Sequence, residues 1–284
     1  MFEFFHDLLS FPFLLNAVFA SALIAVAAGT VGSLVVVRRS TYLAGAVSHS
    51  VLAGLGLARF LQRGMGFSGL SPMGGAILVA LGVAVVLTCL TREDKHRSDT
   101  VLSAIWTGGT ALGVSFIAAT PGYQDDLMSY LFGSILLITQ TDLLWMLLMD
   151  GAIIATIIVC YNRFLAIAFN EELARLRGVA TLRYELIYHI LTALTVVLLV
   201  RMTGIVLAIA LLTLPAATAG KLVKRLDWMM ILGVVLCFGI SLFGLAISYT
   251  PSWPPGATIV EVALCVYGLA ASMTFLKRGR RGSL

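Results

Sequence analysis

The sequence predicts an all-α protein, a polytopic transmembrane helical bundle of eight or nine spans. Three observations carry that prediction. Of the 284 residues, 60% are hydrophobic and only 12% are charged, about half the charge of an ordinary soluble domain, and the mean hydropathy is +1.00. The apolar residues gather into runs that match a bilayer, since roughly 20 helical residues cross a hydrocarbon core of about 30 Å. The basic residues fall between those runs with a strong bias to one side. Backbone groups in lipid must be satisfied within their own segment, so such runs are helices. Residues 1–284 read as one transmembrane domain, with almost no length left for a soluble one.

In chain order the expected spans are Phe13–Val37, Tyr42–Leu61, Met73–Leu90, Leu102–Ala119, Leu143–Tyr161, Leu186–Val200, Ile205–Ala219, Met229–Tyr249 and Ala257–Leu276. The sixth and seventh are short and meet at Arg201-Met202-Thr203-Gly204, so they form a tight pair or one broken unit. With the N-terminus outside and the C-terminus inside, all 19 Lys and Arg residues lie in inner segments except Arg59, Arg63 and Arg201. That is the distribution the positive-inside rule demands. The net charge of +5 is thus a topology signal, and it argues against nucleic-acid binding. The opening MFEFFHDLLSF has acids and no basic stretch, so it makes a poor signal peptide. The four cysteines (Cys89, Cys160, Cys237, Cys265) lie in apolar runs without a CxxC pair, which points away from a thiolate zinc site and from a disulfide frame.

The connections add detail. Residues 120–142 (TPGYQDDLMSYLFGSILLITQTD) form the longest outer one and hold Asp125, Asp126 and an apolar stretch too short to span, which suits a re-entrant or interfacial helix. PSWPPG, from Pro251, is stiffened by proline and sets Trp253 at the interface. Small residues recur four apart at Ala25 and Gly29, Gly109 and Gly113, and Ala216 and Gly220, a spacing that lets helix backbones approach closely. On the inner side, Asn170 to Gly178 (NEELARLRG) has the chemistry of a short surface helix. Asn170 caps it, Glu171 and Glu172 suit its positive first turn, Glu171 and Arg175 pair at i, i+4, and Gly178 stops it. It reads either as an ordinary interfacial helix or as a docking helix for a cytoplasmic partner. Pro215, in LLTLPAATAGK, removes a backbone donor and crowds the carbonyl of Leu211, so a kink is expected there, either static or a hinge. The following Gly220-Lys221 is not a phosphate loop, and no nucleotide-binding motif occurs in the chain.

Four ionisable side chains fall within apolar spans: His49, Asp150, His189 and Glu261. Such residues are costly in hydrocarbon and are functional hypotheses by default. By residue count, Glu261 lies nearest the outer face, then Asp150, then His49 near the middle, with His189 closest to the inside. Carboxylates and imidazoles together suit Zn²⁺ or Mn²⁺ on a shared path that binds weakly enough to release. The plainer reading, preferred for Asp150, His189 and Glu261, is that each caps or bridges helices locally. For His49 a metal contact and a hydrogen bond to a neighbouring helix stand side by side.

With these residues in view, the chain resembles the permease family of zinc and manganese ABC transporters, the membrane subunits of bacterial metal importers. The resemblance runs over nearly the whole chain. It is carried by RRSTYLAGAVSHSVLAG from Arg38, DTVLSAIWTGGTALG from Asp99, DLMSYLFGSILLIT from Asp126, NEELARLRGV from Asn170 and TGIVLAIALLTLPAATAGKL from Thr203, all in order. It implies a fold like that of type II ABC importer permeases in the bacterial inner membrane, and two copies forming a pore. It further implies a cytoplasmic ATPase subunit beneath and an extracytoplasmic metal-binding protein delivering Zn²⁺, Mn²⁺ or Fe²⁺. Asn170, Glu171, Glu172, Ala174 and Gly178 would belong to the coupling helix seated in the ATPase, with Pro215 a hinge. His49, Asp126, Asp150 and Glu261 are the candidates for transient metal contact, with no permanently bound cofactor and no catalytic role. One departure stands out: many members carry an aspartate four residues before the histidine, and here that position is Gly45.

Three rivals remain. One is a secondary transporter or channel driven by an ion gradient through Asp150 and Glu261. Another is an intramembrane metalloprotease using His49, disfavoured because no HExxH spacing occurs. The last is a permease for a metal chelate, which would need a wider path.

Overall fold

The computed structural model describes Phe4, Asp7, residues 10–67, 69–90, 98–121, 133, 135, 138–251 and 253–281. Their regular structure is helical throughout: α1 (Pro12–Val37), α2 (Thr41–Gly64), α3 (Pro72–Leu90), α4 (Ser98–Ala119), α5 (Gln140–Phe169), α6 (Glu171–Leu176), α7 (Thr181–Leu222), α8 (Leu226–Tyr249) and α9 (Pro255–Arg281). Among the described residues, nine segments are long and apolar enough to cross a membrane, because α7 contributes two, Thr181–Arg201 and Thr203–Leu222. The expected bundle of long helices is what the chain forms. Most of the segment 120–142, including Asp125 and Asp126, lies outside the described residues.

The expected boundaries were set by hydropathy, and the helices run past them. Helix α5 covers Gln140–Phe169 where apolarity alone marks Leu143–Tyr161. Backbone hydrogen bonding does not stop at the edge of the hydrocarbon, so Asn162 and Arg163 continue the helix. Its start is fixed by reciprocal capping: Asp142 accepts from the Thr139 amide (3.1 Å) and hydroxyl (2.7 Å), and the Asp142 amide donates to Thr139 Oγ1 (3.2 Å). Helix α1 ends at the arginine pair. The amide of Arg38 donates to the Leu34 carbonyl, and Arg39 takes a left-handed conformation (φ 55°).

The junction near residues 201–204 is one broken unit. Gly204 departs from helical geometry (φ 77°, ψ 169°) inside an otherwise continuous α7. Only glycine reaches that combination without strain. The helix runs on through Pro215 to Leu222 with helical dihedrals, so the departure in α7 lies at Gly204 and not at the proline.

Contacts divide the chain into two compact units. The first comprises residues 1–39, 134–154 and 210–284, hence α1, the start of α5, the end of α7, α8 and α9. Its close approach is that of α1 to α8. A Cβ placed on Gly29 would lie 2.6 Å from the Val234 Cα, so a side chain there meets backbone that cannot swing away. The second unit comprises residues 40–133 and 155–209, hence α2, α3, α4, the end of α5, α6 and the start of α7. There α2 and α4 are pressed together at the small-residue pair: a Cβ on Gly109 would lie 2.7 Å from Ser50 Cα, and one on Gly113 2.9 Å from the Ala53 amide nitrogen. Ser40 Oγ and the buried Tyr188 Oη share a hydrogen bond that ties the start of α2 to α7.

Gly29→Leu is expected to destabilise the protein by about 1–3 kcal/mol through overpacking. Gly239→Leu, at a position in α8 where a Cβ meets nothing within 4 Å, is expected to be close to neutral. Thermal unfolding in detergent, followed by loss of monodisperse protein, checks the pair.

Candidate functional site

The second unit holds the site. His49 lies half-buried on α2, facing one turn of α4. Thr110 Oγ1 is 2.9 Å from His49 Nδ1, and the same oxygen lies 2.9 Å from the carbonyl of Trp106, four residues back on its own helix. A hydroxyl has a single proton to donate. With that proton on the Trp106 carbonyl, the bond to histidine runs the other way, and Nδ1–H donates to the threonine oxygen. The neutral ring then carries its lone pair on Nε2, the arrangement in which imidazole binds a metal while its other nitrogen is held by a second group. The Trp106 ring stacks on the imidazole, with centroids 4.8 Å apart and planes inclined by 23°. Face and edge of the histidine are therefore both fixed by the single turn Trp106–Thr110. The close packing at Gly109 brings that turn within reach, and Ser50, which packs against Gly109, lies 2.8 Å from the Ala46 carbonyl and 3.4 Å from that of Ile105 on α4.

The other expected residues are placed as follows. His189, on α7 in the same unit, is buried and repeats the pattern: Thr88 Oγ1 is 2.8 Å from His189 Nδ1 and 2.7 Å from the Ala84 carbonyl. It bridges α7 to α3, in line with the plainer reading of this residue. Asp150 and Glu261 belong to the first unit. Asp150 is only 4% exposed, and neither carboxylate oxygen has a hydrogen-bond partner among the described residues. Glu261 is exposed on α9. Asp126 lies outside the described residues. Among the described residues, no three His, Cys, Asp or Glu side chains come together as a metal-binding group. Thr110, Trp106 and Thr88 were not singled out from the sequence. A threonine four residues after a tryptophan on an apolar helix carries no mark of what it faces.

Helix α6 forms as its residues dictate. The Asn170 side chain accepts from the Leu173 amide (2.9 Å), and Arg175 lies 3.5 Å from Glu171. At the far end the Val179 amide donates to the Ala174 carbonyl and the Gly178 amide to that of Arg175, both at 3.0 Å. Gly178 sits at φ 78°. This is the Schellman termination, which needs a left-handed residue at that place. Ala174 is buried at 3%, whereas Phe169 and Leu176 are 84% and 82% exposed, leaving apolar side chains uncovered around a helix too charged for lipid.

Residues 10–274 match the ABC 3 transport family. The chain belongs to that family. An uncharacterised membrane protein of Synechocystis sp. is 36% identical to this ABC 3 chain over 266 residues, covering 91% of this chain and 90% of its relative. A probable metal transport system membrane protein of Chlamydia trachomatis is 33% identical, with 97% and 91% covered. The manganese import system permease protein ScaB of Streptococcus gordonii is 30% identical, with 97% and 98% covered. Among solved structures, PsaBC from Streptococcus pneumoniae in complex with Fab superposes with a TM-score of 0.83 at 29% identity, covering 94% of each chain. An inward-facing putative metal-chelate type ABC transporter gives a TM-score of 0.73 at 16% identity, covering 94% of this chain and 88% of that one, a likeness of fold alone. The ABC 3 fold is therefore that of an ABC transporter permease.

Asn170→Ala is expected to cost α6 about 1 kcal/mol, and Gly178→Ala about 1–2 kcal/mol through its left-handed backbone. Hydrogen exchange of the amides at 173–179 should quicken by roughly fivefold or more in each variant.

Proposed function

We propose that this chain is the permease subunit of an ATP-driven importer of divalent transition metal ions, Zn²⁺ or Mn²⁺, in the bacterial inner membrane. ATP is hydrolysed by a separate cytoplasmic subunit, and an extracytoplasmic protein delivers the ion. A second copy of the chain completes the pore, and the C-terminus is cytoplasmic. The observation that carries the reading is the family match extending from residue 10 to residue 274, so that all nine candidate spans begin within it. The names of the relatives supply the substrate class, metal in one and manganese in another.

The chemistry of the chain agrees with this division of labour. A conduit must dehydrate an ion partly and then release it. One imidazole nitrogen, presented by a ring held at Nδ1 by Thr110 and on its face by Trp106, offers contact without a closed ligand cage. Full tetrahedral sets of the structural-zinc kind would hold the ion too tightly. Helix α6 would seat in the ATPase. It is short, rigidly capped at both ends, and it offers Leu173 and Leu176 beside the Glu171–Arg175 pair. A rigid lever of this kind transmits displacement better than a fraying loop does. The break at Gly204 gives α7 a point at which its two halves can change their relation, and the expected hinge at Pro215 would lie three turns further on.

A gradient-driven carrier is the second reading, and Asp150 is what favours it. A buried carboxylate with no hydrogen-bond partner among the described residues is the kind of group that takes up and releases a proton in such carriers.

Vesicles containing this chain with its ATPase subunit, supplied with the metal-delivering protein, should accumulate Mn²⁺ or Zn²⁺ only when ATP is hydrolysed, and His49→Ala should lower the rate by at least about tenfold. Uptake that survives without ATP and collapses with a protonophore would select the second reading instead.

A further inference from the structure

The space beside His49 is occupied in an unusual way. Position 45 lies one helical turn before His49, on the same face of α2. A Cβ built on Gly45 would collide with the Trp106 ring, at 2.6 Å from Cη2 and 2.8 Å from Cε3. The same indole stacks on the imidazole. Trp106 therefore does two things at once. It fills the volume that any side chain at 45 would need, and it sets the plane of the neighbouring ligand. Indole cannot itself bind a metal through nitrogen, since its N–H is only a donor.

We propose that Trp106 is a positioning residue that sets metal preference at this level of the conduit: by closing off position 45 to any side chain and stacking on His49, it leaves a passing ion the imidazole nitrogen with no second ligand from that turn of α2. The inference rests on the reading of His49 as a metal contact. Its consequence is chemical. Neutral imidazole favours Zn²⁺ and the later first-row ions, whereas carboxylate oxygen suits Mn²⁺. With Trp106 in place, the layer discriminates toward Zn²⁺ and against Mn²⁺. Adding a carboxylate at 45 requires removing the indole at 106, so the two positions are coupled and must be changed together.

The test is metal binding to the full-length chain in lipid nanodiscs. Free Mn²⁺ is read by its paramagnetic resonance signal, and Zn²⁺ serves as the competitor. The wild-type protein should prefer Zn²⁺ and should lose that binding in His49→Ala. Trp106→Phe, which keeps a stacking ring, should hold the affinity within about threefold. Trp106→Ala and the bulkier Trp106→Leu should each weaken Zn²⁺ binding by about 10–100-fold, the usual effect of removing a group that orients a ligand. The double variant Gly45→Asp/Trp106→Ala should bind again, with the Mn²⁺-to-Zn²⁺ preference moved toward Mn²⁺ by about tenfold or more. Gel filtration of each variant establishes that it is folded, and Trp106→Leu decides the matter if the alanine variant is not. A double variant with the wild-type ion preference, or a folded Trp106→Leu with wild-type Zn²⁺ affinity, overturns the proposal while leaving His49 as a contact. Undiminished Zn²⁺ binding in His49→Ala, or no binding by the wild-type protein, removes the underlying reading as well.

Discussion

A hydroxyl group on a membrane helix has one proton, and many of those in this protein lie against the carbonyl one turn back, whereas Ser48 and Thr195 are buried without a hydrogen-bond partner among the described residues. Ser21 donates to Ala17, Ser33 to Gly29, Ser50 to Ala46, Thr88 to Ala84, Thr110 to Trp106 and Thr203 to Leu199, all at 2.7–2.9 Å. In water such back-bonding is optional. In hydrocarbon the donor has no solvent to turn to, and an unmade bond costs its full desolvation penalty. The chemistry of the site follows from this constraint. The hydroxyl of Thr110 stands at 2.9 Å from both the Trp106 carbonyl and His49 Nδ1, so with its proton on the carbonyl the threonine accepts from His49. The tautomer of the histidine is thus coupled to the hydroxyl of a different residue.

The same economy shapes the packing. With no hydrophobic force between helices in lipid, contact depends on how closely backbones can approach. Gly29, Gly109 and Gly113 stand where α1 meets α8 and where α2 meets α4, and the second of these contacts brings Trp106 and Thr110 against His49. The setting of His49 and helix packing are therefore not separable here. A larger residue at Gly109 would disturb the histidine without touching it.

Much of this was legible in the sequence, and the limit of legibility has a physical cause. The lengths of the apolar runs marked the spans because the bilayer imposes a length on any chain that crosses it. The details of α6 were legible because capping is local: Asn170, the two glutamates and Gly178 act within a few residues of one another. The small-residue pairs marked true close contacts at Gly29, Gly109 and Gly113. What could not be read were the partners of His49 and His189. Thr110 lies 61 residues from its histidine and Thr88 lies 101, and a single sequence holds no record of such distant pairings. The break in α7 was one of the two forms expected at residues 201–204, and it falls at Gly204, but the ends of α5 escaped for another reason. Hydropathy senses transfer to lipid, not the continuity of backbone hydrogen bonds.

The protonation of one ring governs the site, and nitrogen NMR of the histidine-labelled protein in lipid reads it directly, with His49→Gln assigning the signal. The expected result is a protonated Nδ1 and a bare Nε2 at His49, with the Nε2 resonance alone shifting strongly when Zn²⁺ is added. A proton found on Nε2, with Nδ1 bare and accepting from Thr110, would contradict it.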